Sequence, residues 1–283
     1  MEIDKLKLYR GNPYIVNEHI QIHMPTLGEI VDYGEQDFYS MCFTIVEQPT
    51  NMKWQLWDVG VDWTEINQWD FFTDILAPSL TKEKTKILFG DIVDFSLMKK
   101  VYKKEIDSYV LVQDVAVFDE DSQDVGSAYY DDKSKKGLFR KKGKPNRNKN
   151  QPYEYQIIVD EYTYKMICKI IRDTYGFEEK HDRPANEVTK LAQIEDEKEE
   201  YMMNKDKPYV SNLMNFISAM VNSEGFKRDD VTVFDMNIYA FMDSVRRVSK
   251  IKNAQLLLQS GYSGFGIDLK DIDKKEIEWA GEI

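Results

Sequence analysis

The stretch Tyr14-Ile15-Val16-Asn17-Glu18-His19-Ile20-Gln21-Ile22-His23-Met24-Pro25-Thr26-Leu27-Gly28-Glu29-Ile30-Val31 changes its hydrophobic period part-way along. Before Pro25 the runs Tyr14-Ile15-Val16 and Ile20-Gln21-Ile22 flank Asn17-Glu18, with Arg10-Gly11-Asn12-Pro13 as an earlier turn. Such runs around turn residues predict a small β-hairpin. After Pro25 and Thr26 the apolar positions Leu27, Ile30, Val31, Phe38, Met41, Cys42 and Ile45 recur in steps of three and four. That spacing predicts one long amphipathic helix, closed by Pro49.

Downstream, Asn51 to Pro78 is dense in rings (Trp54, Trp57, Trp63, Trp69, Phe71, Phe72) and broken by Gly60, which predicts two short helices joined by a turn and packed on the first. Thr81 and Gly90 bracket one more short helix. Two β-branched and aromatic stretches, Tyr109 to Phe118 and Tyr155 to Val159, predict antiparallel strands. Asp160 and Gly176 stand where a cap and a terminator belong around Tyr164, Ile167, Cys168, Ile171 and Tyr175. The heavily charged segment Pro184 to Lys207 reads as a solvated helix or joint. Two further helices, Val210 to Val221 and Ile238 to Leu258, are expected to form an α-hairpin. The expected fold is therefore α+β and mainly helical. It has an N-terminal β-hairpin plus helices, a small central antiparallel sheet and a C-terminal helical part. The corresponding units are 1–95, 96–183 with a charged mobile loop at 119–152, and 184–283 with a C-terminal tail.

Composition narrows the classes of function. The 283 residues are 42% apolar, enough for a sizeable core without metal or disulfide staples. Two cysteines, Cys42 and Cys168, cannot form a disulfide scaffold and fit a reducing, cytoplasmic setting. Neither a secretory leader pattern near the N-terminus nor an apolar run approaching about 18 residues is visible, so no membrane association is expected. A net charge of −12 repels polyanions and argues against nucleic acid as the main partner. Five tryptophans and seventeen tyrosines are in keeping with large protein contact surfaces, including self-association into a homo-oligomer.

Few residues promise chemistry. His19 and His23 have a zinc-like spacing, but in a strand residues four apart are roughly 13 Å from each other, too far to share an ion. Asp119, Asp121 and Asp124 lack the glycine and glutamate that an EF-hand loop requires at its sixth and twelfth positions, which here are Asp124 and Tyr130. Gly261, Gly264 and Gly266 follow a helix instead of opening one, so a C-cap and connector is expected in place of a phosphate loop. Both cysteines fall on apolar faces where burial makes a thiol inert. With three histidines, one of them (His181) in a polar connector, no nucleophile–base–orienter set is recognisable. The chain is expected to be a non-enzyme that needs no cofactor and no metal.

Two features look towards partners. Lys135, Lys136, Arg140, Lys141, Lys142, Lys144 and Arg147 form a basic block that could engage phosphates, with Phe139 and Tyr153 available for stacking. The acidic stretch from Asp119 to Asp132 lies next to it, and opposite blocks this close screen one another, which favours a self-compensating loop. The tail from Ile267 to Ile283 carries Leu269, Ile272, Ile277 and Trp279, and is expected to fold back on its own chain, with Trp279 a candidate interface anchor.

Pro25-Thr26-Leu27-Gly28-Glu29-Ile30, continuing with Tyr33-Gly34-Glu35 and Phe38-Tyr39, resembles a pattern in tail-morphogenesis proteins of tailed bacteriophages. Leu88-Phe89-Gly90-Asp91 and Ile277-Glu278-Trp279 are similar to later stretches of those proteins, some of them tail assembly chaperones. The likeness covers roughly the first 95 and last 75 residues, and the charged middle has no counterpart. The resemblance implies transient binding of tape-measure or other tail proteins in the host cytoplasm, through a broad apolar face. Trp54, Trp57, Trp63, Trp69, Phe72 and Trp279 are the candidate contacts. A permanent virion component of the baseplate or tail is the main rival, and a nucleic-acid-associated protein using residues 133–149 is the second.

Overall fold

The structure, a computed structural model, describes residues 3–117, 153–180, 182–262 and 272–281. It is an α+β fold dominated by helices. A short helix α1 (Lys5–Tyr9), which lacks enough apolar periodicity to be read from sequence, leads through Gly11 at φ +86° into the hairpin. There β1 (Tyr14–Ile15) pairs antiparallel with β2 (Gln21–Ile22). The Asn17 carboxamide closes the turn by accepting from the backbone N–H groups of His19 and Ile20.

Thr26 starts the next helix with a reciprocal capping box, its hydroxyl accepting from Glu29 N–H while the Glu29 carboxylate accepts from Thr26 N–H. The expected single long helix is in fact two, α2 (Leu27–Tyr33) and α3 (Glu35–Val46). Gly34, at φ +102° and ψ +113°, breaks the helical path. The apolar spacing hid this break because both pieces turn their greasy stripe to the same core. Pro49 opens a 3-10 turn (Pro49–Asn51) after α3 has already ended. Next come α4 (Lys53–Asp58), a reversal at Gly60, and α5 (Gln68–Phe71) running into a π-helical turn at Phe72–Leu76. Helix α6 (Lys82–Phe89) ends at Gly90 as expected; Thr81 has the extended cap conformation but makes no side-chain cap bond.

The central sheet has three strands, ordered β3 (Lys99–Lys103), β4 (Ser108–Val117), β5 (Tyr153–Val159), all antiparallel. The strand that sequence reading missed is β3. Its Lys-Lys-Val-Tyr-Lys composition is that of a charged edge strand, in which lysines discourage further pairing. Helix α7 (Glu161–Tyr175) matches its expected bounds: the Asp160 carboxylate accepts from Thr163 N–H, and Gly176 adopts the left-handed conformation.

Helices α8 (Glu187–Asn204), α9 (Asn212–Val221), α10 (Ile238–Tyr262) and α11 (Lys274–Ile277) complete the chain. The expected α-hairpin of the last two long helices is not the main packing: α10 packs chiefly on α11, α7 and α1, and Lys252 of α10 donates to Ser223 just after α9. The segment before α10 is tied to the start of α2, with Leu27 N–H donating to Met236 O and Ile238 N–H to Pro25 O. These bonds join positions over 200 residues apart and bring the C-terminal helices onto the N-terminal hairpin unit. The described part of the tail, 272–281, folds back as expected, the Arg247 guanidinium donating to the carbonyls of Trp279 and Gly281. Among the described residues no helix is long and apolar enough to cross a membrane.

Candidate functional site

Most of the aromatic block belongs to the core. Trp63, Trp69 and Phe72 are buried, and the Trp69 indole donates to Tyr109 O on β4 at 3.2 Å. Phe72 stacks on Tyr164, and Trp69 leans on both rings. Ring density here serves to bridge α5, α7 and the sheet. Of the six candidate contact residues only Trp57 and Trp279 are exposed, at 40% and 59%, while Trp54 is half-buried. The basic block 133–149 and the acidic stretch beside it lie outside the described residues, as do His181, Gly264 and Gly266.

Trp54 and Trp57 take part in a second arrangement that the sequence did not announce. Helix α8 lies along α4 with the stripe Lys190, Gln193, Ile194, Glu197, Lys198, Tyr201 facing it, and Ile194 is the only buried aliphatic in that stripe. The Lys190 ammonium sits 5.6 Å from the centre of the Trp57 ring and pairs with Asp62. Eight residues on, Lys198 sits 5.7 Å from the centre of the Trp54 ring and 3.8 Å from Asp58. Each lysine therefore occupies a socket made of one indole face and one carboxylate, in which the ring quadrupole and the ion pair act together. Tyr201 packs its ring against Trp54 at 5.3 Å. The Glu197 carboxylate accepts from Lys53 N–H at the start of α4, a position where the helix dipole favours an anion.

The electrostatics fit this description. Hydrogen bonding by Asp62 holds the Lys190 ammonium above its ordinary pKa. Burial works against the Asp62 charge, but hydrogen bonds from Lys190 and Thr64 outweigh it and keep its carboxyl below the ordinary range. Lys53, itself buried, stacks 5.3 Å from Trp63 and pairs with Asp182 at 3.1 Å. Behind this layer, burial pushes the Glu47 carboxyl up to about 7, with Glu197 adding like-charge repulsion and Asn51 and Gln48 opposing.

A cleft of about 1040 Å³ opens beside the sockets, between the Gln48–Gln68 region and the connector into α8. Its walls include Trp63, Asp62, Glu65, Lys180, Arg183 and Glu187, so both charges alternate around it and no single ligand charge is favoured. Cys42 and Cys168 are buried; desolvation drives the first thiol well above its ordinary value and the second to about 11. His19 stacks on Tyr155, and His23 lies 3.7 Å from Glu29.

No family model, no curated protein sequence and no solved structure matches the chain.

Beyond the α8 sockets lies a run of exposed apolar side chains. Every residue from Lys198 to Val210 is exposed, among them Tyr201, Met202, Met203, Tyr209 and Val210, and α9 adds Met214 and Phe216. Met203, Val210 and Met214 show 67%, 68% and 69% of their surface. Leu213 and Met220 are the buried residues of α9, Ile217 and Val221 pack against the core beside them, and Leu213 N–H donates to the Glu35 carboxylate. Glu195, Asp196, Glu199 and Glu200 form an acidic rim beside the run. Sequence reading passed over both features because a mixed Lys/Glu/Met segment has the composition of a solvated helix. The signal was there in the two lysines at two-turn spacing on either side of Ile194.

Proposed function

We propose that this chain is a protein-binding assembly factor, of the kind found as tail assembly chaperones in phage tail morphogenesis, and that it holds apolar helices of tail or tape-measure proteins. The observation that carries this reading is the set of exposed side chains Tyr201, Met202, Met203, Tyr209, Val210, Met214 and Phe216, next to the carboxylates Glu195, Asp196, Glu199 and Glu200. Flexible thioether side chains re-pack against helices of differing shape, as a chaperone for a long repetitive client requires. The acidic rim favours a client helix with a basic flank and raises its rate of encounter. The proposed setting, the cytoplasm of an infected bacterium, rests on the resemblance of residues 25–39, 88–91 and 277–279 to phage tail-morphogenesis proteins.

Co-expression with the candidate tail proteins, followed by affinity capture of the full chain, tests the reading. Met202→Glu together with Met214→Glu should reduce captured client at least about tenfold, since each places a charge in an apolar contact. Capture that persists undiminished contradicts the assignment of this surface. Mass spectrometry of purified virions separates a chaperone, which is absent from the particle, from a permanent baseplate or tail component, which is retained in fixed stoichiometry.

A further inference from the structure

We infer that the α4 face under α8 is a docking surface for a helix carrying two basic side chains eight residues apart, and that α8 is its internal, exchangeable occupant. The inference rests on the reading of the chain as a binder of helices, and adds which helices and where.

Three observations carry it. First, the attachment of α8 is electrostatic: one aliphatic side chain is buried in its inward stripe, whereas α7 buries Ile167, Ile170 and Ile171 together with two tyrosines. The Lys198–Asp58 pair, both of whose side chains are exposed, weakens with salt, the more buried Lys190–Asp62 pair does so less, and apolar burial does not. Second, the two sockets repeat the same chemistry, Trp57 with Asp62 and Trp54 with Asp58, and Lys190 and Lys198 fill them at a spacing of about 12 Å along a helix axis. That repeat specifies a ligand: any helix with lysine or arginine at positions i and i+8 and a small aliphatic between them presents the same groups. Third, α8 is an imperfect occupant. The indole N–H of Trp54, whose ring meets Lys198 and Tyr201 of α8, is buried without a hydrogen-bond partner. A client helix with an acceptor near Trp54 satisfies a group that α8 leaves unpaired, which gives it an energetic advantage in exchange.

Displacement of α8 would uncover Trp54 and Trp57, and it would swing the adjoining run of exposed methionines away from α4. Client binding at the sockets and movement of the already exposed Tyr201, Met202 and Met203 are then one coupled event, driven by a single competition between helices.

The test uses a dye-labelled peptide of residues 186–204 added to the full chain, read by fluorescence anisotropy at about 50 mM salt. The wild-type chain should bind it weakly, because α8 competes, and the Lys190→Ala/Lys198→Ala chain should bind it at least about tenfold more tightly. The same peptide with both lysines replaced by alanine should lose at least about tenfold in affinity for either chain. Equal affinity of the two peptides, or no binding to the double variant, overturns the proposal. Hydrogen exchange of the wild-type chain gives a readout that needs no variant: raising salt from about 50 to 500 mM should speed α8 amides at least about tenfold and leave α7 unchanged. Unchanged α8 rates also overturn it. Neither failure touches the client-capture result with the Met202 and Met214 variants, which stands or falls by itself.

Discussion

The Tyr164 ring lies flat on the Phe72 ring with centroids 4.0 Å apart, and its hydroxyl donates to the Ile45 carbonyl at the end of α3. One side chain on α7 thus locks together the π-helical turn after α5 and the C-terminus of α3. Gln68 completes the knot by donating to both the Tyr164 hydroxyl and the Glu47 carbonyl. Phe72→Ala should therefore cost about 3–5 kcal/mol. Tyr164→Phe, which keeps the stack and removes both hydroxyl bonds, the one donated to Ile45 and the one accepted from Gln68, should cost about 1–3 kcal/mol. Urea denaturation of both variants checks the order; equal losses would mean that the stack contributes little.

Glu47 predicts a pH dependence. Burial raises its folded carboxyl to about 7 from a reference of 4.5, so the native state holds the proton where the unfolded chain releases it. The associated stability is fully present below the unfolded value and is lost as pH rises through about 7. Glu47→Gln removes this loss. Between about pH 5 and 8 the wild type should fall by about 2–3 kcal/mol relative to the variant, measured as the difference between their unfolding free energies. A constant difference across that range would show that Glu47 does not titrate as its burial implies.

Gly34 sits at φ +102° with ψ +113°, a conformation that a side chain strains, although a Cβ there would meet only the Asp37 carboxylate at 3.5 Å. The penalty of Gly34→Ala is then conformational instead of steric, about 1–3 kcal/mol. Thermal unfolding should show it as a lowered Tm. A neutral result would mean that α2 and α3 can merge into the continuous helix that their apolar spacing implies.

Cys42 and Cys168 should both resist an aromatic disulfide reagent in the folded protein and react fully in denaturant, since neither thiolate is accessible and both thiols are pushed up by burial. Rapid native labelling of either one would reveal an opening of the α3–α7 interface.

Local chemistry made some elements legible from the chain alone. The Asp160 cap, the isoleucine stripe and Gly176 define α7 within itself, and Asn17 between β-branched runs defines the hairpin, because the decisive hydrogen bonds join near neighbours. Strand β3 was not legible, since Lys99, Lys100 and Lys103 are stable in a strand only when β4 supplies the ladder and Asp70 and Asp74 meet Lys100. Of the ring-bearing residues, sequence could count them but not apportion them. Trp63, Trp69 and Phe72 went to the core, and Trp54 and Trp57 to the α8 sockets.

The amino-acid order by itself determined the helical and strand segments whose caps, turns and apolar period lie within about one or two turns of each other. Only tertiary structure decided which surface α8 would cover, and with it the pairing of Lys190 with Asp62 and of Lys198 with Asp58. The reason is physical: a lysine on a charged helix has the same local preferences whether it faces water or an indole. What separates the two fates is the distant ring and carboxylate brought up by the rest of the fold.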